Sequence, residues 1–133
     1  MNKLCFLFLL IPVVVFGQNM SDDYVFDCEF KNIFRLTDDG GLQKSQFMEN
    51  LIGEHFAVNR KTGVILGSGL TTILADKEVV INPGGSSNSY KAFAEFSVGQ
   101  GQLIEIQVFR ENNYFPFIAL SMGGVGLATG LCK

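Results

Sequence analysis

The sequence has few of the residues on which several functional classes depend. It has no tryptophan and a single histidine, and its ten Lys and Arg residues are outnumbered by thirteen Asp and Glu. Nucleic-acid binding normally needs concentrated basic charge, and the sequence has no basic cluster, so this class is excluded. Catalytic signatures are also scarce, since no G-x-S-x-G nucleophile motif is present.

The only long hydrophobic run lies at the amino terminus. Residues 4–16 are apolar, follow Lys3 and precede the small residue Gly17. This order is typical of a secretory signal peptide. The run is too short to cross a membrane as a helix, which takes about 20 residues. We therefore predict a cleaved signal peptide over 1–17 and a single domain over 18–133, in a secreted or periplasmic protein with no membrane span after cleavage.

Cleavage of the signal peptide would remove Cys5 and leave Cys28 and Cys132. Two cysteines in an exported protein are expected to form a disulfide. The bond would close a loop of 104 residues and would hold a chain end that otherwise frays. A structural zinc site is disfavoured because it needs four ligands and only His55 could join the two sulfur atoms. The sequence predicts neither a metal site nor a cofactor.

The first predicted strand is long and imperfectly patterned. Between Tyr24 and Leu36 the apolar residues fall mostly on one parity, while charged residues occupy the other. Val25 and Ile33 interrupt the polar face, and Asn32 interrupts the apolar face. A period of two over this length indicates one half-buried strand, or two strands in line.

Further strand-like runs are separated by turn sequences rich in Gly, Asn and Ser, at 55–67, 78–82, 90–98, 103–110, 114–120 and 125–132. Only residues 45–53 have helical spacing, with Ser45 as the expected N-cap and Gly53 as the expected residue after the last helical turn. We predict an all-β domain with one short helix, and an antiparallel meander for the last four strands. A bond between Cys28 and Cys132 would make the first and last strands neighbours. A small antiparallel barrel meets this restraint, and a two-sheet sandwich is the alternative.

Candidate catalytic residues are scattered along the chain. His55 could serve as a general base for a serine. The adjacent pairs Asp22–Asp23 and Asp38–Asp39 could bind calcium or act as acid and base, but they lack EF-hand spacing. The glycine-rich stretches 63–69 and 123–130 precede no helix, so they indicate turns and strands rather than nucleotide sites. We predict a protein that is not an enzyme, with a small hydrolase using His55 or an acidic pair as the alternative.

Two groups of aromatic residues depart from the alternating pattern. Phe93 lies on the polar parity of its strand, and YFPF (114–117) contains more bulky residues than one strand face can direct into a core. We predict a binding patch formed by Phe93, Tyr114, Phe115 and Phe117, for a small apolar ligand, an envelope component or a protein partner. In the alternative, Phe115 and Phe117 fill the core while Tyr114 covers a loop. A second alternative for Phe93 is a strand covered on both faces, for example by the short helix around 47–52.

No family is assigned from the sequence. The G-x-W signature of lipocalins is missing, because the chain has no tryptophan. Asn19-Met20-Ser21 matches a glycosylation acceptor.

Overall fold

The computed structural model describes residues 24–84, 88–109, 111–122 and 126–133. Its strands form one open antiparallel sheet that curls into a half-barrel. The predicted all-β, barrel-like fold is confirmed, and a single curled sheet replaces the alternative of two packed sheets. The predicted signal peptide, the Asn19 acceptor and the Asp22–Asp23 pair lie outside the described residues.

The described residues form nine strands and one short helix. The strands are β1 (Val25–Leu36), β2 (Leu42–Lys44), β3 (His55–Asn59), β4 (Ile65–Gly67), β5 (Lys77–Pro83), β6 (Tyr90–Phe96), β7 (Gln100–Ile106), β8 (Phe115–Met122) and β9 (Gly126–Cys132). A 3₁₀ helix, Gln46–Leu51, lies between β2 and β3. The neighbour order is β4-β3-β1-β9-β8-β7-β6-β5, and β2 pairs with the carboxyl end of β1. Strands β5 to β9 thus form an antiparallel meander.

The first and last strands of this sheet are neighbours. Cys28 lies directly opposite Cys132, with the Cα atoms 3.9 Å apart and the sulfur atoms 1.99 Å apart, at the distance of a disulfide bond. Next to them, Asp27 and Lys133 exchange both backbone hydrogen bonds. The cysteines therefore occupy the non-hydrogen-bonded position of the ladder, where opposite side chains approach most closely.

A bulge in β1 explains the imperfect alternation of the first strand. The register of β1 against β9 shifts between Phe30 and Asn32. One extra residue in a strand reverses the faces of the residues that follow it. Phe30 is buried before the bulge and Ile33 is buried after it, whereas Phe34 is half-buried and Leu36 is exposed. The expectation of one parity along the whole strand is wrong at this point.

Gly130 of β9 lies where β1 makes its bulge. A Cβ atom added there would overlap the carbonyl oxygen of Glu29 and would lie 2.6 Å from a ring carbon of Phe117. The close approach of the β1 backbone therefore requires a residue without a side chain.

The core fills the concave side of the sheet. The rings of Phe30, Phe56 and Phe117 form its aromatic centre, with centroids 4.8 to 6.1 Å apart. Tyr90 is also buried, and burial raises the pKa of its hydroxyl to about 12. This hydroxyl donates a hydrogen bond to the carbonyl oxygen of Asn59, 3.2 Å away.

The two edge strands, β4 and β5, are not paired with each other in the described part of the sheet. The turn after β3 lies against β5 and β6, since a Cβ atom at Gly63 would be 3.2 Å from the Ala92 side chain and 3.4 Å from that of Val80. Side-chain packing and the bond from Tyr90 to Asn59 thus join the ends of the sheet in place of a backbone ladder.

The helix predicted over 45–53 is present as the shorter 3₁₀ helix. Ser45 is its N-cap residue by position but makes no side-chain capping bond. Leu51 packs against the core, whereas Phe47 is exposed. None of the helices that the described residues form has the length and apolar character needed to cross a membrane.

Gly130→Ala should lower the free energy of unfolding by about 3 kcal/mol or more, because the new methyl group must displace the β1 backbone. Gly126→Ala is the matched control on the same strand, since no atom lies within 4 Å of its added Cβ. This control should change stability by less than about 0.5 kcal/mol. Urea denaturation of the two variants measures the difference, and equal losses would contradict the packing described here.

Replacing both Cys28 and Cys132 by Ala should lower the melting temperature while the β-type circular dichroism persists. The chain-entropy model gives up to about 4.7 kcal/mol for a loop of this length. Non-reducing peptide mapping of the wild-type protein should recover the two cysteines in one linked pair of peptides. Two thiols that alkylate freely in the native protein would show that the bond is absent.

Candidate functional site

The outer face of the sheet carries a row of apolar side chains in register across six strands. We call it the outer apolar row; it consists of Val79 (β5), Phe93 (β6), Leu103 (β7), Leu120 (β8), Leu127 (β9) and Phe34 (β1). The residues next to them along the strands, such as Ala92, Ile104 and Ala119, are buried in the core, so the row faces outward. Strands lie about 4.8 Å apart, so the row extends roughly 24 Å.

The outer apolar row accounts for the unexpected position of Phe93. Its side chain is half-buried, with Val79 opposite it on one side and Leu103 on the other. The short helix does not cover Phe93, because its main contacts are with β1. Phe93 is therefore one member of a row that crosses the sheet.

The YFPF residues occupy three different environments. Phe117 belongs to the core, where its ring packs edge-on against Phe56 at 5.1 Å. Phe115 is half-buried against Phe26, with ring centroids 6.2 Å apart. Tyr114 is exposed. The structure thus does not bring the four predicted aromatic residues together into one patch.

A shallow cavity of about 350 Å³ lies on the outer side of β1, β3 and β9, and we call it the charged cavity. It is lined by Asp27, Glu29, Lys31, His55, Tyr114, Leu131, Cys132 and Lys133. His55 Nδ1 lies 2.9 Å from Asp27 Oδ1, and Lys133 Nζ lies 3.6 Å from Asp27 Oδ2. Lys31 donates a hydrogen bond to Glu29, and this bond lowers the pKa of the Glu29 carboxyl.

The sequence pattern does not predict the contact between Asp27 and His55. In the register of β1 and β3, Glu29 lies opposite His55 and Asp27 lies opposite Ala57. Asp27 is therefore a diagonal neighbour of His55 on the same face, within side-chain reach. Only the alignment of the two strands reveals this contact, because the residues are 28 positions apart in the chain.

A histidine hydrogen-bonded to a carboxylate is a partial arrangement for proton transfer. The charged cavity has no serine or threonine in its lining, and the Cys132 sulfur is held at bonding distance from Cys28. The arrangement thus offers a base with its orienting group, but no serine, threonine or free cysteine beside them.

The other catalytic and metal-binding candidates have local structural roles. Asp39 accepts hydrogen bonds from the Thr37 hydroxyl and the Gly41 amide, and the Thr37 bond lowers the pKa of its carboxyl. The described part of the chain contains no group of three His, Cys, Asp or Glu residues placed to hold a metal ion. The described glycine-rich residues belong to β4, β9 and adjacent turns.

Inside the half-barrel, a mouth cavity of about 100 Å³ opens between the 3₁₀ helix and the strand ends. Met48, Leu51 and Leu70 contribute to its largely apolar lining, together with Ser121 and Gly126. Pockets for small molecules usually measure about 300–1,000 Å³. The mouth cavity is therefore too small for a ligand of ordinary size.

Comparisons of the chain with protein-family models, with curated proteins and with solved structures find no match.

Proposed function

We propose that this protein is an exported, non-catalytic binding domain that recognises a protein partner through the outer apolar row. The row itself carries the proposal. The solvent-facing side of an antiparallel sheet is normally polar, whereas here six strands place apolar side chains in register on that side. Val79 and Leu120 are exposed and the other four side chains are half-buried, and contiguous apolar surface that stays open to solvent marks interaction sites.

The shapes of the available surfaces favour a protein over a small apolar ligand. The mouth cavity holds only about 100 Å³, whereas the outer apolar row is long and lies on an open sheet face. Charged side chains flank the row, as in the polar rim of a protein interface. Lys91 and Glu105, for example, pair at 3.7 Å on the strands that carry Phe93 and Leu103.

The cysteine pair and the amino-terminal sequence support export. A disulfide is typical of proteins in oxidising compartments, and Cys28 and Cys132 lie at bonding distance. Residues 1–17 have the order of a signal peptide. Both features favour a secreted or periplasmic location.

The second candidate function is hydrolysis, and the hydrogen bond between Asp27 and His55 is the observation in its favour. The pair lies beside a cavity of about 350 Å³ that could admit a substrate. Because no serine, threonine or free thiol lines this cavity, we expect that a hydrolase would activate water directly. We rank this function below binding, since the side chains of His55 and Asp27 are both exposed to solvent.

Any hydrolytic activity found in a preparation should survive His55→Ala, because the binding proposal assigns His55 no catalytic role. Asp27→Asn is a second variant that keeps the shape of the pair and removes its charge. Hydrolysis assays with ester and peptide substrates check both variants. A loss of about a hundredfold or more, with the circular dichroism unchanged, would instead establish His55 as a general base.

Leu120→Ser should weaken partner binding by about tenfold or more, because Leu120 lies near the middle of the outer apolar row. To obtain the partner, a photo-reactive benzoylphenylalanine replaces Leu120 in cells that express the protein. The cross-linked protein is identified by mass spectrometry, purified, and titrated against the wild type and the variants.

Leu66→Ser is the matched control, since Leu66 is an exposed leucine of β4 outside the row. It should leave the affinity for the purified partner unchanged. Equal effects of Leu66→Ser and Leu120→Ser, or a partner that cross-links equally well from position 66, would show that the row is not the binding surface.

A further inference from the structure

The two ends of the half-barrel carry different kinds of residues. In an antiparallel meander, alternate connections lie at the same end of the sheet. The β4–β5 and β6–β7 connections therefore lie at the same end of the sheet as the carboxyl end of β8, and the β3–β4 connection lies at the other end with the carboxyl ends of β5 and β7. The 3₁₀ helix belongs to the first of these ends, because Met48 and Leu51 line the mouth cavity together with Gly69, Ser121 and Gly126.

The four most exposed large apolar side chains of the described residues all lie at this first end. They are Phe47 (89% exposed), Leu74 (83%), Val98 (73%) and Ile73 (66%). Phe47 is on the 3₁₀ helix, Ile73 and Leu74 are in the β4–β5 connection, and Val98 is in the β6–β7 connection. We call these four residues the apolar tips.

Ile73 and Leu74 form the corner of a well-anchored turn. The turn is closed by a hydrogen bond from the Ala75 amide to the Thr72 carbonyl, 2.9 Å long. Thr72 is buried, and its backbone amide and its hydroxyl both bond to the backbone of Ile65. Turn corners usually carry Gly, Pro, Asn, Asp or Ser. Two large aliphatic residues at the corner of an anchored turn are therefore held out into solvent.

Val98 repeats this arrangement in the β6–β7 hairpin. A hydrogen bond of 3.0 Å from the Gly99 amide to the Phe96 carbonyl closes the turn, and Gly99 has a φ of 73°. Ser97 and Val98 occupy the corner positions, so the valine side chain points away from the sheet. Three separate connections thus place apolar residues at their most exposed points.

Acidic residues outnumber basic ones around the apolar tips, where Arg35, Lys44 and Lys77 lie at the adjoining ends of β1, β2 and β5. The described connections at this end contain acidic residues and no lysine or arginine; the acidic residues are Asp38, Asp39, Glu49, Glu54 and Asp76. The opposite end carries Arg60 and Lys61 in its β3–β4 connection, and its most exposed large hydrophobic side chains, Tyr24 and Tyr114, bear hydroxyl groups. An anionic surface would be repelled by the apolar end.

We propose that the apolar tips insert into a lipid surface with zwitterionic headgroups, and that the half-barrel rests end-on upon it. Peripheral proteins bind such surfaces by burying exposed apolar side chains at the boundary between headgroups and acyl chains. The surrounding carboxylates then lie at the level of the headgroup ammonium groups. The opposite end, with the charged cavity beside it, stays in water.

The shape of this end favours a lipid surface over a protein. The apolar tips project singly from separate turns and a helix, and each makes little contact with the rest of the chain. Protein interfaces instead concentrate binding energy in packed, contiguous clusters surrounded by a rim that excludes water. A fluid lipid surface needs no matching shape, because each side chain enters it independently.

Fluorescence can test the insertion directly, because the chain contains no tryptophan. Leu74→Trp places a single reporter on an apolar tip, and Ile81→Trp places one on β5, at an exposed position outside the apolar tips and the outer apolar row. Both variants are purified after export, with the same amino terminus determined by mass spectrometry. They are mixed with vesicles of phosphatidylcholine, then with vesicles that also contain phosphatidylglycerol.

The emission of Leu74→Trp should shift to the blue on phosphatidylcholine vesicles and should be quenched by brominated acyl chains. Added phosphatidylglycerol should weaken the effect, because the end is acidic. Ile81→Trp should show neither change. In flotation assays, Phe47→Ser and Ile73→Ser should each reduce binding by about tenfold, whereas Ile81→Ser, the matched isoleucine control, should not.

Three outcomes would overturn the proposal. The first is an unshifted Leu74→Trp emission on phosphatidylcholine, and the second is an equal shift for Ile81→Trp. The third is that the wild-type protein binds no vesicles, while Phe47→Ser and Ile73→Ser lose binding to a purified protein. This result would make the end a protein-docking surface. Because none of these variants alters the outer apolar row, they leave the proposed partner binding to be judged by Leu120→Ser alone.

Discussion

The pairing of β1 with β9 holds the two parts of the sheet together. It joins the meander β5–β9 to the group formed by β1, β3 and β4, which would otherwise be two separate pieces of sheet. The contact spans nearly the whole chain, so its closure costs much conformational entropy. Cys28 and Cys132 lie opposite each other in this ladder and secure its far end. The core can form on one curled sheet because the pairing of β1 with β9 joins the two groups of strands.

The pairing of β1 with β9 also determines which side chains lie on the outer face. The bulge between Phe30 and Asn32 turns Ile33 into the core and Phe34 outward, where it extends the outer apolar row onto β1. Without the extra residue, Phe34 would face the core and the row would end at Leu127. Gly130 makes the arrangement possible, because any larger residue would collide with the β1 backbone. One packing detail thus governs both the core and the outer surface.

Local sequence pattern predicted the strands, the short helix and the meander, because alternation and turn residues act over a few positions. The cysteine pair predicted that β1 and β9 are neighbours, because a disulfide restrains distant residues directly. The broken alternation at Asn32 and Ile33 marked the place of the reversal, but β1 alone could not predict a bulge there, since the close approach of the two backbones also requires Gly130 on β9. The contact between Asp27 and His55 could not be predicted either, because only the register of two strands brings the two side chains together.

The outer apolar row and the apolar end adjoin each other. Val79, Leu103 and Leu120 lie two or three positions from the strand ends at Lys77, Gln100 and Met122, and these ends lead into the connections at the apolar end. A half-barrel seated end-on would therefore hold the row just above the lipid surface, with its length roughly along that surface. A protein bound to the row would be confined to the same layer. The two proposed contacts are thus compatible in one orientation, which leaves the charged cavity, beside the chain's carboxyl end, facing water.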